Sequence, residues 1–429
     1  MTQMETQVER AEPLAVSLKT SVIPEIAVKL ILGGKVSVDG DQVYVKFEDD
    51  TLHMHEEDLA LAKRVAGRLV STLPRKITPG VVVSAMSAAH RFTADEVFSG
   101  RVTRVIYYPA PAEASAWYRC VIPSLVLNAG GKIHSYVTRT RIAREALDFD
   151  VIVIQLDFSP SALKFAKSLQ SMGKKVVFEI DDAFDALEEW HPGYEHLKQS
   201  GVQDQVKAMI ANADMVTVTT PYLKERYAQY AKRIEVIPNC LPLHDWPKAE
   251  PNTSGTFRVL WAGSPSHYGD LAEVGRVLQD FATGRPEVRL VFFGRRPVEL
   301  DGILSIEFHE WVEFKDFPQK LADLKADVAI APLSDVPFNH AKSNLRLIQY
   351  GATGYPVIAS DVGHYSETGK GLIPLCKTPS DWREALEFMY ANPDFRKLMA
   401  KKSMEFAQKY DINRHAKDIE RAYLSLSGR

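Results

Sequence analysis

Two successive series of short, continuous apolar runs constrain the fold of this chain more than any other feature. The first series begins at Val102 with VTRVIYYPA and continues through FDVIVIQLD, KKVVFEIDD and DMVTVTT. The second begins at Phe257 with FRVLWAGS and continues through VRLVFFG, IEFHEWV, DVAIAPL, PVIAS and GLIPL. Helical patterns separate the runs, and this alternation is typical of buried parallel strands in βαβ units. The sequence therefore predicts two doubly wound α/β domains in tandem, with a cleft where they join.

A segment rich in Pro, Asn, Ser and Gly, VIPNCLPLHDWPKAEPNTSGT, separates the two series and is typical of a linker. We accordingly predict the first α/β domain at residues 101–245 and the second at residues 246–429, with a C-terminal run that is helical throughout. Residues 1–100 form a separate α+β region with a polar start, a helix over residues 14–32, a hairpin in KVSVDGDQVYVKFEDDTLHMH and a second helix after it. This region carries no motif that indicates chemistry, so its role stays open.

Composition and charge argue against several classes of protein. The net charge of −3 over 429 residues gives no electrostatic footprint for nucleic acid. The polar start is unlike a signal peptide, and no apolar run approaches the length that spans a bilayer. The three cysteines, Cys120, Cys240 and Cys376, have no metal-ligand spacing, which favours free thiols in a reducing compartment. We therefore expect a soluble protein of the cytoplasm.

The ends of the strands in the second series carry residues that suit a phosphate group. Ligands of open α/β sheets bind at the carboxyl ends of the strands, where helix N-termini offer free N–H groups. The chain lacks both GxxxxGKS/T and a GxGxxG that opens a βα unit, so a P-loop NTPase and a standard dinucleotide-binding domain lose support. The candidate residues at successive strand ends are instead Gly263, Ser264 and His267, then Gly294 and Arg295, then Trp311 or Val312, and then Lys342 before a helix that starts near Ser343.

Each of these strand ends has a plain structural alternative. Ser264 suits a helix cap, a loop arginine such as Arg295 is commonly only solvated, and an aromatic residue such as Trp311 commonly belongs to a core. Four consecutive strand ends that all suit a phosphate or its nucleotide are less easily explained by chance than any one of them alone. Together they predict a nucleotide diphosphate that is bound mainly by the second domain, with Trp311 or Val312 beside its base.

Two adjacent carboxylates follow the strand VVFEI in the first domain. Asp181 and Asp182 would face the same cleft, where one could act as a general base or hold substrate hydroxyls. The alternative is that Asp182 caps a helix in AFDALEEW. No third ligand is obvious near this pair, so the sequence predicts no metal site.

From Val102 onward, the chain resembles group 1 (family 4-like) glycosyltransferases. The resemblance is carried by WAGSPSHYGDL, ADVAIAPLSDVPFNHAKSNLRLIQYGATGYPVIAS and VTVTTPYLKERYA…IEVIPNCL, and ASAWYR resembles a variant of some phage and bacterial members. It implies the GT-B fold, which has two Rossmann-like domains facing a cleft; here a small N-terminal α+β region precedes them. In such enzymes the second domain holds the nucleotide sugar, the first holds the acceptor, and the final helix crosses back to the first domain.

The resemblance also implies roles for individual positions. Asp181 falls where many relatives keep a histidine close to the anomeric carbon, and Gln349 and Ala341 stand where the family has its glutamate pair. Gln349 takes the place of the ribose-binding glutamate. The remaining positions are Gly263, Ser264, His267 and Arg295 at the diphosphate, Lys342, Ser343 and Asn344 at the phosphate or the donor sugar, and Trp117, Tyr118 and Arg119 on the acceptor side.

These features predict a metal-independent glycosyltransferase that needs no cofactor and uses a UDP-sugar rather than a GDP-sugar. Arg295 and Lys342 would stabilise the leaving diphosphate, and Asp181 and Asp182 would assist the chemistry. The acceptor stays open between an envelope glycan or lipid and a hydroxymethylated pyrimidine in phage DNA. The alternatives are a nucleotide-sugar 2-epimerase and a degenerate module that binds a nucleotide sugar or a partner without turnover. The sequence determines neither the oligomeric state nor whether the anomeric configuration is retained or inverted.

Overall fold

The computed structural model describes residues 102–427 apart from residues 112, 140, 142, 188, 190–193, 200, 264–267 and 295–304. Before residue 102 it describes residues 26–27, 29, 35–39, 42–47, 50–55, 59, 61–66, 89 and 93. The predicted polar start therefore lies outside the described residues. The same holds for Ser264, His267 and Arg295, so the phosphate contacts predicted for these three stay predictions.

The described part of the N-terminal region contains a three-stranded antiparallel sheet rather than a single hairpin. Its strands are β1 (Lys35–Asp39), β2 (Gln42–Phe47) and β3 (Asp50–His55), and β2 pairs with both neighbours. The prediction located the first turn, but β2 and β3 are separate strands in a run that the sequence analysis treated as one. Residues 26–27, 29 and 61–66 are helical, within the two helices predicted there.

The first α/β domain contains a parallel sheet whose described strands follow the order β5-β4-β6-β7-β8-β9. Strand β6 reads VIVIQ and is buried at all five positions, because helices cover both faces of the sheet. Ser159 and Thr220 each precede a proline and cap the helix that follows with their side-chain oxygens. The strands are β4 (Thr103–Tyr108), β5 (Ile133–Val137), β6 (Val151–Gln155), β7 (Lys175–Glu179), β8 (Met215–Val218) and β9 (Ile234–Val236). The helices are α1 (Glu113–Ala116), α2 (Ile122–Ala129), α3 (Ala143–Ala146), α4 (Pro160–Ser171), α5 (Tyr194–Gln199), α6 (Val202–Asn212) and α7 (Pro221–Ala228), and a π-helical turn, Trp117–Val121, joins α1 to α2.

The second domain repeats this plan with the strand order β12-β11-β10-β13-β14-β15, again parallel throughout the described strands. The strands are β10 (Phe257–Ala262), β11 (Val288–Gly294), β12 (Ile306–Glu310), β13 (Val328–Ala331), β14 (Val357–Ser360) and β15 (Leu375–Cys376). The helices are α8 (Tyr268–Ala282), α9 (Phe317–Asp323), α10 (Pro337–His340), α11 (Leu345–Thr353), α12 (Gly363–Gly369), α13 (Pro379–Ala391), α14 (Pro393–Gln408) and α15 (Ile412–Leu424). The two Rossmann-like domains are those that the sequence predicts.

The order of strands reverses between β4 and β6 in the first sheet and between β10 and β13 in the second. Such reversal points are where open α/β sheets bind ligands, because the loops on either side diverge there and leave a crevice. The loop after β10 begins with Gly263, and the loop after β13 contains Lys342. The fold therefore brings Gly263 and the connection that contains Lys342 to the same reversal point.

The C-terminal run is two helices and not the continuous helix that the sequence predicts. Helix α14 ends at Gln408, and Asp411 caps α15 by accepting a hydrogen bond from the backbone N–H of Asn413. Helix α15 returns to the first domain, where the rings of Tyr423 and Tyr107 lie 5.9 Å apart. Lys132 pairs with Glu420 of α15 at 2.9 Å. Helix α15 therefore packs on the first domain and adds a second connection between the domains beside the linker.

Candidate functional site

Two glycines end the neighbouring strands β10 and β11 and bring their backbones close together. Gly294 has φ = +100°, a conformation that side chains disfavour, and a Cβ built there would lie 2.5 Å from the ring of Trp311 and 2.8 Å from the carbonyl oxygen of Gly263. A Cβ at Gly263 would lie 2.5 Å from Trp261 and 2.9 Å from the guanidinium of Arg346. Both positions therefore require glycine, because a larger residue would clash with neighbours that are already packed against the backbone.

Arg346 is a cation beside Gly263 that the sequence analysis did not include among the site residues. It lies in the first turn of α11 and is only 8% exposed. Its Nη1 has no hydrogen-bond partner within the part of the chain that the structure describes, and its guanidinium lies 5.5 Å from the ring of Trp261. A buried guanidinium nitrogen without an acceptor is costly, so the geometry suits an anion that arrives from outside the protein. The signal in the sequence was the position of Arg346 one turn after Lys342.

Lys342 connects the two domains at the crevice. Its ammonium lies 2.9 Å from a carboxylate oxygen of Asp182 and 4.4 Å from the centre of the Phe338 ring. Burial raises the pKa of Asp182 to about 6, and the charge of Asp181 raises it too, whereas Lys342 lowers it. The predicted phosphate-binding lysine and one of the predicted catalytic carboxylates thus meet directly across the interface between the domains.

The two adjacent carboxylates have different surroundings. Asp181 accepts a 2.6 Å hydrogen bond from the hydroxyl of Ser115, which in turn accepts one of 2.7 Å from the amide of Gln155. Asp182 faces Lys342 instead. The alternative interpretation of Asp182 as a helix cap is wrong, because the short 3-10 helix Phe184–Ala186 begins after Ala183 and has no side-chain cap.

The π-helical turn points the three predicted acceptor-side residues in different directions. Trp117 is half-buried and lines a cavity of about 580 Å³ between the domains. Tyr118 is buried, and its hydroxyl accepts a 2.6 Å hydrogen bond from Gln349 of the second domain. Arg119 is 3% exposed and forms a paired contact with the Glu179 carboxylate at 2.6 and 3.1 Å. Trp117 thus faces the cavity, whereas Tyr118 and Arg119 are buried against other protein groups, and the acceptor-side roles of the three residues stay predictions.

The cavity beside Trp117 lies between the ends of the first domain's strands and the second domain. It combines an aromatic wall with a charged rim. Its remaining lining residues are Pro109, Ala116, Val121, Val137, Thr138, Arg139, Glu313, Phe314 and Lys315.

Two polar side chains just before α11 differ in their exposure to solvent. Ser343 is partly exposed, and its hydroxyl accepts a 2.8 Å hydrogen bond from the amide of Asn239 in the linker. Asn344 is fully buried and donates to Thr368 at 3.0 Å and to the hydroxyl of Tyr410 at 2.5 Å. The side-chain nitrogen of Asn344 is therefore engaged within the protein, and the phosphate or sugar contact implied for Asn344 by the resemblance stays a prediction. Helix α11 begins at Leu345, two residues later than predicted.

Trp311 is the exposed aromatic residue next to the two glycines. It follows β12 directly, is 43% exposed and stacks on Phe293 with ring centres 5.5 Å apart. The partly buried Val312 follows it. An exposed indole beside a crevice offers a flat surface to a base.

Among the described residues, no group of three or more His, Cys, Asp or Glu side chains is arranged to hold a metal ion. All three cysteines are buried and unpaired, in line with the sequence interpretation. No helix in the described ranges is both long and apolar enough to cross a membrane.

Comparisons with known proteins agree with this architecture. Residues 63–245, less than half of the chain, match the model of Glycosyltransferase Family 4. Two crystal structures of HepE from Anabaena share the fold at a TM-score of 0.54: the UDP complex is 14% identical over 75% of this chain and all of HepE, and the UDP-glucose complex is 15% identical over 76% of this chain and all of HepE. A comparison with curated protein sequences gives no match. The chain thus has the GT-B arrangement of two Rossmann-like domains, and its first domain is similar to family 4 glycosyltransferases.

Proposed function

We propose that this protein is a glycosyltransferase that moves a sugar from a uridine diphosphate sugar to an acceptor hydroxyl. The observation that carries the proposal is the buried guanidinium of Arg346, which has no acceptor for its Nη1 in the described chain and lies beside Gly263 at the crevice. A diphosphate would supply the missing acceptors and the opposite charge. The UDP and UDP-glucose bound by HepE support the choice of donor.

In this proposal the positive charge that catalysis needs comes from Arg346, from Lys342 and from the free N–H groups at the start of α11. As the bond between the sugar C1 and the phosphate oxygen breaks, its electron pair remains on the diphosphate, which gains negative charge. Cations and helix N–H groups that are already fixed at that point stabilise this charge more than they stabilise the bound substrate. Arg295, predicted from the sequence for the same role, lies outside the described residues and stays a prediction.

The remaining contacts to the donor follow from the neighbouring side chains. The exposed indole of Trp311 would stack on the uracil. Gln349 would hydrogen-bond the ribose in place of the glutamate expected from the resemblance. Its amide donates to the Tyr118 hydroxyl in the structure, so binding of the ribose requires that this contact be exchanged.

The acceptor would enter through the cavity beside Trp117. Its hydroxyl would lose a proton to a carboxylate as the new bond to C1 forms. Asp181 is our candidate because it is partly exposed and bonded to Ser115, whose neighbour Ala116 lines that cavity. Asp182 would keep Lys342 in position until the donor arrives. The cavity accommodates ring-shaped groups, and the candidate acceptors are a sugar of an envelope glycan and a hydroxymethylated pyrimidine in phage DNA.

The second candidate function is binding of a nucleotide sugar without turnover. Ala341 and Gln349 favour it, because neither supplies the negative charge of the glutamates expected at those positions. The two functions share the donor site and differ only in whether the donor is consumed.

Two measurements test the proposal. Nucleoside diphosphates at about a hundredfold over their dissociation constants should raise the stability of the protein by about 2.7 kcal/mol, which a thermal-shift assay detects easily. We expect UDP to give this shift and Lys342→Ala to reduce it. Release of UDP from UDP-sugars that is lost in Asp181→Asn, with UDP binding retained, would support the transferase over the binding module. A protein that no nucleotide stabilises would refute both.

A further inference from the structure

A buried chain of hydrogen bonds runs from the core of the first domain to the start of α11. The Thr217 hydroxyl donates a hydrogen bond to the Glu179 carboxylate. The same carboxylate accepts hydrogen bonds from Nε and Nη2 of Arg119. Nη1 of Arg119 donates to the side-chain oxygen of Asn239 at 3.1 Å, and the amide nitrogen of Asn239 donates to Ser343 at 2.8 Å. The four members before Ser343 are at most 5% exposed.

Arg119 decides which way the amide of Asn239 faces. A guanidinium can only donate hydrogen bonds, so the atom of Asn239 that faces Arg119 must be the oxygen. The opposite atom, which faces Ser343, must then be the NH2 group, which can only donate. The Ser343 oxygen is therefore an acceptor in this contact, and its own proton is directed elsewhere.

Ser343 lies directly after Lys342 and just ahead of α11, and it is partly exposed at the crevice. Because the Ser343 oxygen accepts a hydrogen bond from Asn239, the proton of the same hydroxyl points away from Asn239 and can be donated to a ligand. Phosphate oxygens only accept hydrogen bonds, so this polarity suits a diphosphate.

We propose that Asn239 is a positioning residue, which holds the Ser343 hydroxyl as a hydrogen-bond donor to the phosphate of the donor substrate. This inference rests on the proposed function and deepens it. It gives a reason for the burial of the Arg119–Glu179 pair, which fixes the orientation of Asn239 and does not itself contact a substrate. It also gives the linker between the domains a part in recognising the donor.

The substitution that tests this polarity is Asn239→Asp. The carboxylate would still accept from Arg119 but could no longer donate to Ser343, so the Ser343 hydroxyl would turn to donate to it instead. We expect the affinity for UDP, measured by isothermal titration calorimetry on the full chain, to fall about tenfold or more, the range for a hydrogen bond to a charged group. Ser343→Ala should weaken binding by a similar factor.

A double-mutant cycle separates polarity from the added negative charge. If Asn239 acts through Ser343, Asn239→Asp should weaken UDP binding much less in a Ser343→Ala background than in the wild type. Asn392→Asp, which adds the same charge at the junction of α13 and α14, should leave UDP affinity unchanged. Unliganded melting temperatures and circular dichroism establish that each variant is folded.

Three results would overturn the inference. Asn239→Asp could bind UDP as tightly as the wild type, or it could weaken binding by the same factor in both backgrounds. In either case the wild type still binds UDP and the proposed function stands. If the wild type itself binds no nucleotide, the proposed function falls and this inference falls with it.

Discussion

Replacing Arg346 with methionine should make the unliganded protein more stable and the liganded protein less so. An unsatisfied buried donor costs about 1–3 kcal/mol. The contact with the Trp261 ring, 5.5 Å from the guanidinium, offsets part of this by about 1 kcal/mol. Methionine replaces the unbranched apolar stem of the side chain and removes the charge, so we expect a net stabilisation of about 1 kcal/mol and a melting temperature about 1 to 2 °C higher.

The same substitution should weaken the binding of UDP strongly. Loss of one partner from a buried charge pair costs about 2–5 kcal/mol, so the dissociation constant should rise at least about thirtyfold. Calorimetry gives the affinity, and a thermal-shift assay without ligand gives the stability. A rise in unliganded stability together with a fall in UDP affinity is diagnostic, because a substitution that merely disrupts the fold lowers both the stability and the affinity.

Arg258→Met is the matched control in the same domain. Arg258 is also largely buried but is fully paired, with two contacts to Glu307 at 2.9 and 2.7 Å and one to the carbonyl oxygen of Leu324 at 2.9 Å. Its loss should lower the melting temperature and leave the UDP affinity unchanged. The reasoning about Arg346 would be refuted if Arg346→Met destabilised the unliganded protein as much as the control and bound UDP like the wild type.

Three further predictions concern stability and the interface between the domains. The pKa of Asp182 is about 6 in the folded protein against an ordinary 3.8, so between these values the folded state keeps a proton that the unfolded state has lost. From pH 4 to pH 7 the wild type should therefore lose about 2 kcal/mol of unfolding free energy relative to Asp182→Asn in urea titrations, and parallel pH profiles would contradict this. Gly294→Ala should lower the unfolding free energy more than Gly284→Ala in the same titrations, because both glycines have positive φ but only Gly294 has a neighbour closer than 3 Å to the new Cβ. Since that neighbour is the ring of Trp311, Gly294→Ala should also change the fluorescence of Trp311. Tyr118→Phe should free the Gln349 amide for the ribose and tighten UDP binding severalfold in calorimetry, whereas weaker binding would argue that the contact between the domains supports the donor site.

The alternation of apolar runs and helices was enough to predict both Rossmann-like domains. A parallel strand covered on both faces must be apolar at nearly every position, as in β6, so it stands out in the sequence without knowledge of its neighbours. Features that depend on one or two residues were missed. The separation of α14 from α15 depends on the capping side chain of Asp411, and the π-helical turn before α2 has no compositional signal.

The residue types of the site were also visible in the sequence, since donors at strand ends and paired carboxylates are properties of short segments. Which side chains are available to a ligand was decided only by the tertiary structure. Arg119 and Arg346 are both buried arginines, but Arg119 meets a carboxylate 60 positions away in the sequence and an amide 120 positions away, whereas the Nη1 of Arg346 meets no acceptor in the described chain. A charge is free or neutralised according to what the fold brings within about 3 Å of it, and that distance is set by contacts between residues far apart in the chain.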